Sequence, residues 1–220
     1  GRAPGAVRLP ATHSLRSGAP LRIVAIGAST GGPQALREIL GHLPGDFPVP
    51  VVCVQHISAD FLPEMVAWLA EVSPLPVRVA AQGEVPQAGV GYFAPGDAHL
   101  ELDHGRRFDL TGTPPCDGHR PSVTVTLRAV AQRFGAGAVG VLLTGMGRDG
   151  AEGMAEIAAA GGITIAQDEA SSVVYGMPRE AAALGAAQQV LPLQQIGPAL
   201  VALTNQRKNA DVTPGRKEAT

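Results

Sequence analysis

Apolar residues fall along this chain in two alternating textures. Leu21-Arg22-Ile23-Val24-Ala25-Ile26-Gly27 is a short aliphatic run; a turn of small residues follows, then Pro33 to Leu40, where Leu36, Ile39 and Leu40 recur at helical spacing. Pro33 suits the first turn of a helix, where its missing N–H has no partner to lose. The two textures return in Val49 to Gln55, continuous and apolar, and in Phe61 to Val72, with Leu62, Met65, Val66 and Leu69 on one helical face. Strands without a polar side are those buried on both faces. Two successive strand–helix units predict a doubly wound, mostly parallel sheet with helices on both faces, a three-layer Rossmann-like α/β fold.

Between Val77 and Leu110 the pattern breaks into short apolar pieces such as Val90-Gly91-Tyr92-Phe93 and His99-Leu100-Glu101-Leu102, which predict short strands or hairpins. Gly112 to Pro121 is a loop, Val123 to Phe134 a helix and Ala138 to Leu143 a further buried strand. The turn Thr144 to Gly150 opens a helix over Ala151 to Ala160, strand Ile163 to Ala166 follows, Pro178 opens another helix, and a last one spans Leu193 to Thr204. Residues 1–20 are Gly/Pro/Ala/Arg-rich without periodicity and read as a linker; residues 205–220 read as a polar, frayed tail. One folded domain is therefore expected over residues 21–204.

Charge narrows the function. Lys and Arg number 17 against 19 Asp and Glu, a net charge of −2, which excludes a basic nucleic-acid-binding surface as the main purpose. With 45% hydrophobic but only 4% aromatic residues, the core is expected to be aliphatic. Two cysteines cannot form a disulfide framework, so a reduced, cytoplasmic protein is expected, and no run approaches the ~20 apolar residues of a membrane span.

In a doubly wound sheet, ligands bind where loops leave the carboxyl ends of the strands. The first such loop, Gly27-Ala28-Ser29-Thr30-Gly31-Gly32, satisfies G-x-S-x-G, which places a serine on a sharp strand-to-helix turn beside the N–H groups and positive end of a helix. A dinucleotide-binding turn is the alternative, but it calls for an acidic residue at the end of the next strand, which here ends in Gln55-His56. His56 leaves that strand on the same edge, where an imidazole would take the Ser29 proton. Asp149, in the loop after the strand at 138–143, would orient His56 and stabilise its imidazolium; the competing reading is a cap for the helix that begins near Gly150. Thr144-Gly145-Met146-Gly147 supplies backbone N–H groups for an oxyanion. The chain order Ser29, His56, Asp149 is not that of an α/β-hydrolase. His13, His42, His99, His104 and His119 are read as surface or hydrogen-bonding residues. Cys53-Val54-Gln55-His56 and Cys116-Asp117-Gly118-His119 form two C-x-x-H pairs, but their separation is unlike a zinc finger and Cys53 sits in a strand expected to be buried.

Six blocks in order make the chain resemble the catalytic domain of the chemotaxis receptor protein-glutamate methylesterases, the CheB type. They are Ile26 to Gly32, Gln55-His56, Ala94-Pro95-Gly96-Asp97 with His99, His119 to Val123, Leu143 to Gly150, and Gln167 to Ser171 continuing through Val174 to Glu180. The resemblance implies that Ser29 is the nucleophile, His56 the base and Asp149 its orienting acid, with Thr30 and Met146 bordering the oxyanion site. It implies hydrolysis of glutamate methyl esters on chemoreceptor helices, deamidation of receptor glutamines, and no metal or organic cofactor. The partners implied are a methyl-accepting receptor and an N-terminal receiver domain; residues 1–20 are too few to encode one, so the chain as given is expected to be ungated. Ile57-Ser58-Ala59 after His56, and Thr124 where the family commonly has Asp, depart from the pattern and are expected to bear on receptor choice. The alternative to an enzyme is a domain of the same fold that docks a receptor without turnover.

Overall fold

The computed structural model describes residues 19–210. In chain order the elements are β1 (Ile23–Ala28), α1 (Gly32–His42), β2 (Val51–Gln55), α2 (Leu62–Ala70), β3 (Val77–Val79), β4 (Gly91–Phe93), β5 (His99–Leu102), β6 (Phe108–Thr111), α3 (Val123–Phe134), β7 (Ala138–Leu142), α4 (Ala151–Ala159), β8 (Ile163–Gln167), α5 (Met177–Ala183), β9 (Gln189–Leu191) and α6 (Leu193–Ala210). Seven strands form one sheet in the order β3-β4-β2-β1-β7-β8-β9, and every pairing in it is parallel. The expected doubly wound fold is present. An antiparallel ribbon, β5 against β6, stands apart from this sheet.

Alternate residues of β1 serve opposite cores, which is why its sequence shows no polar side. Val24, Ile26 and Ala28 face Leu36, Ile39 and Leu40 of α1, Leu62, Met65 and Leu69 of α2, and Ile196 and Leu200 of α6. Ile23 and Ala25 face Val123 and Leu127 of α3, Met154 of α4 and Met177 of α5. The core is aliphatic in the main, yet Phe47, Tyr92, Phe93 and Phe108 are also fully buried, with Tyr92 edge-on to Phe108 at 4.9 Å. The few aromatic residues are thus concentrated inside, where their area counts most.

Two elements differ from the sequence reading. The three-residue edge strand β9 shows no periodicity that would reveal it, and α6 continues past Thr204 to Ala210, into the segment read as a tail. Of the stretches read as a linker (1–20) and a polar tail (205–220), residues 1–18, with His13, and residues 211–220 lie outside the described residues. Among the described residues, no helix is long and apolar enough to cross a membrane.

Strand order decides where a site can form. From β1 the chain winds out through β2 to β4 and β3; from β7 it winds the other way through β8 to β9. The loops after β1 and β7 therefore part to opposite faces and leave a crevice at their carboxyl ends, the switch point of the sheet.

Candidate active site

Ser29 follows β1, His56 follows β2, and Asp149 lies in the loop after β7, so the three come from three adjacent strand ends. Ala28 and Gln55 are partners in the parallel register, and the His56 N–H donates to the Ala28 carbonyl at 3.0 Å. Ser29 and His56 are thus the first residues beyond a registered pair on neighbouring strands, whose spacing is about 4.8 Å.

The Ser29 turn is held through its backbone. Its N–H donates to Thr144 O at 3.0 Å, and its carbonyl accepts from Gly32 N–H at 2.8 Å and from Gln55 Nε2 at 2.9 Å. Gln55 also donates to His56 O at 3.0 Å, so one buried amide ties the nucleophile turn to the base. A Cβ on Gly32 would lie 1.9 Å from Gln55 Oε1 and 2.8 Å from the Ala28 Cβ, which explains the glycine. Gly32→Ala is expected to cost about 1–3 kcal/mol by overpacking, read as a lower urea midpoint, with Gln55→Ala on top recovering part of it. Gln55 occupies the place where a dinucleotide site would need its acidic residue, and it braces the turn instead.

Thr144 joins three loops. Its N–H donates to Gln167 Oε1 at 2.8 Å, its hydroxyl donates to Thr30 O at 2.9 Å, and the Val174 N–H donates to that hydroxyl oxygen at 2.9 Å. Beside it, a Cβ on Gly145 would lie 2.8 Å from the Ser29 Cβ, so the backbone preceding Met146 packs directly against the serine. Thr30 and Met146 are exposed, and among the described residues their backbone N–H groups donate to nothing.

Asp149 is the most fully engaged group of the site. Oδ1 accepts from the Ser122 hydroxyl at 2.7 Å and the Thr124 N–H at 2.9 Å; Oδ2 accepts from the Val123 N–H at 2.8 Å and from His56 Nε2 at 2.8 Å. Burial alone would raise its pKa, but the hydrogen bonds from His56, Thr124, Ser122 and Val123 outweigh this and bring it down to about 2. The capping alternative is therefore met at a different helix. Asp149 receives the first N–H groups of α3, whereas α4, with Gly150 at its N-cap position, has no side-chain cap. Thr124, a point of departure from the family pattern, is wholly buried and accepts from the Gly150 N–H at 2.7 Å, so it shapes the Asp149 loop and cannot meet a substrate.

A carboxylate can only accept, so His56 Nε2 carries a proton, and in the neutral imidazole it is Nδ1 that presents the lone pair. Nδ1 is buried and has no partner, and no hydrogen bond of the Ser29 hydroxyl occurs among the described residues. The arrangement offers a hydroxyl, an imidazole anchored at Nε2 and a buried ionised acid in one crevice, the parts of acyl transfer through a serine ester.

The other histidines divide. His99 is fully buried; its Nδ1 accepts from the Ser122 N–H and its Nε2 donates to Pro114 O, both at 3.1 Å, so it fixes the residue that supports Asp149. His42 and His104 lie at exposed contacts. His119 departs from its expected role, because its ring stacks on His56. Ligand atoms of His56, His119 and Asp149 lie within 4.8 Å of one another, but all acceptor positions of Asp149 are taken by the four donors above, and stacked imidazoles point their lone pairs side by side rather than at a common centre. Cys53 lies in the apolar cluster between sheet and α1, where burial pushes its thiol up, so the Cys2His2 reading fails in this cysteine. Gln55, Ser122, Thr144, Gln167 and His119 stand in segments already marked in the sequence, but the supporting roles found here were not assigned to them there. Only Ser122, a serine directly before a helical run, carried a local signal, that of an N-cap.

A family model described as CheB methylesterase matches residues 24–200. The chain is 48% identical over 203 residues to a protein-glutamate methylesterase/protein-glutamine glutaminase of Nitrosospira multiformis, covering 90% of this chain and 57% of that protein. It is 51% identical over 196 residues to one of Cupriavidus metallidurans, covering 87% and 58%. The chain thus spans less than two thirds of the length of these relatives. The crystal structure of the Thermotoga maritima CheB methylesterase catalytic domain superposes with a TM-score of 0.81 at 39% identity, covering 84% of this chain and all of that one.

Proposed function

The chain belongs to the CheB methylesterase family, and from that premise we propose that it is a serine hydrolase of glutamate methyl esters on the cytoplasmic helices of a chemoreceptor, which also deamidates receptor glutamines. One observation carries the reading: a buried carboxylate with every acceptor position filled holds His56 by Nε2 and leaves Nδ1 unpartnered, on the residue that follows the strand next to that of Ser29. That is the ring orientation a general base needs, one nitrogen held by the acid and the other left to take a proton.

In the reaction, Ser29 Oγ attacks the γ-carbonyl while His56 Nδ1 takes its proton, and Asp149 stabilises the imidazolium. The oxyanion lies against the Thr30 and Met146 N–H groups, contacts typically worth about 3 kcal/mol each in the transition state. Collapse breaks the bond to methoxide or amide, which leaves as methanol or ammonia with the proton from His56. Water then gives its proton to Nδ1 and its hydroxide to the acyl carbon, releasing Ser29 and a glutamate carboxylate. Phe61, Met146 and Val173, each more than 60% exposed, stand in the loops after β2, β7 and β8, and an apolar rim of this kind supports a macromolecular substrate over a small ester. The partners of this reading are a methyl-accepting receptor and a receiver domain, and the reaction belongs in the cytoplasm.

Methanol release from a methyl-esterified receptor cytoplasmic domain tests it. Release is expected. Failure with Ser29 still labelled by a serine-directed phosphonate would mean a different ester or amide substrate, and failure of both would favour the docking domain without turnover.

A further inference from the structure

His119 is delivered to the site by a two-residue hairpin. Cys116 and His119 exchange both backbone hydrogen bonds, at 3.1 and 3.0 Å, around Asp117 and Gly118, whose φ values of 50° and 79° are those of a type I′ turn. His119 Nδ1 lies 2.9 Å from the Asp117 carbonyl, and the Asp117 carboxylate lies 3.6 Å from Arg148 Nε, beside Asp149. A stiff turn, tied to the acid's own loop, thus fixes where the His119 ring points.

The ring lies flat on His56, with centroids 3.8 Å apart and planes within 7°. His56 has two motions that would spoil it as a base, rotation of its plane about Cβ–Cγ and departure of its Nε2 from Asp149. The Asp149 bond opposes the second but fixes only one atom. A plane stacked on the ring opposes the first. We propose that His119 is a positioning residue for the Ser29 reaction: it clamps the plane of His56 so that Nδ1 keeps the one direction in which it can serve as base, and its π face receives the imidazolium as the proton arrives. The proposal rests on the reading of Ser29 and His56 as nucleophile and base.

The test compares His119→Ala, His119→Phe and His119→Asn in the whole chain. Two quantities are read, the rate of Ser29 labelling by a fluorophosphonate and kcat and KM for methanol release. Misplacing a reacting group by about 1 Å costs on the order of 100-fold. His119→Ala is therefore expected to lose about 10- to 100-fold in labelling rate and in kcat, with KM little changed. His119→Phe restores the plane without the hairpin hydrogen bond and is expected to recover most of both rates; His119→Asn restores a polar group without the plane and is expected to behave as the alanine variant. Labelling of His119→Ala at the parental rate would overturn the proposal. Rescue by Asn and not by Phe would also overturn it, assigning His119 to the turn instead. A parent chain that does not label at Ser29 would remove the premise itself, a failure distinguishable from the other two because it precedes any substitution.

Discussion

Ser29→Ala is expected to lower turnover by at least about 10³-fold without unfolding the protein. The two halves of this expectation come from different atoms. Ser29 itself is held through its own main-chain atoms: the N–H to Thr144 O, and the carbonyl to Gly32 N–H and Gln55 Nε2. Alanine keeps all of it, and keeps the Cβ that the Gly145 backbone packs against. The hydroxyl has no hydrogen bond among the described residues to lose, so the change in stability should stay within about 0.5 kcal/mol. What alanine removes is the hydroxyl oxygen that would form the acyl bond. Comparing kcat for methanol release with the midpoint of thermal unfolding checks both halves. Parental turnover by the alanine chain would remove Ser29 from the mechanism, and a large fall in the midpoint would mean that the hydroxyl holds the turn together.

How the site was legible follows from which constraints are local. Ser29 and His56 could be found because a parallel strand order and a strand-end rule place them on one edge before any contact is known. Asp149 was found by the same rule, but its helix was not. A carboxylate next to Gly150 reads locally as a cap for α4, and only the packing of α3 across the sheet shows that its N–H groups are the ones received. His119 illustrates the opposite limit. Its sequence neighbours, Asp117-Gly118 and Arg120-Pro121, describe a loop correctly, yet the stack on His56 is made across 63 positions by a hairpin whose direction no periodicity encodes. The short strand β9 was illegible for a simpler reason: three residues cannot display a period of two. Thr124 looked like a change in the substrate surface because it interrupts a family motif, whereas its burial makes it a support for the Gly150 N–H.

Asp149→Asn should separate the acid's two duties, because an amide cannot satisfy the four donors that the carboxylate satisfies. If Nδ2 faces His56, the imidazole must turn Nε2 into the acceptor and put its proton on Nδ1, the atom that should receive the serine proton. If Nδ2 faces Ser122 and Thr124, the hydroxyl can reverse but the Thr124 N–H is left buried without an acceptor, at a cost of about 1–3 kcal/mol. Turnover is accordingly expected to fall by about 10²-fold, less than for Ser29→Ala, and stability to fall near neutral pH. The stability loss should itself depend on pH. Asp149 titrates at about 2 in the folded chain, below the ordinary aspartate value of about 3.9 in the unfolded one, so its contribution is complete above pH ~5 and disappears as pH falls toward 2. A shift of nearly two units corresponds to roughly 2 kcal/mol for this buried group. Urea midpoints of parent and Asp149→Asn, measured from pH 6 down to pH 3, should therefore converge. A gap that stays constant over that range would mean that the carboxylate's charge contributes nothing to the fold, and unchanged turnover would leave Asp149 as a cap for α3 and nothing more.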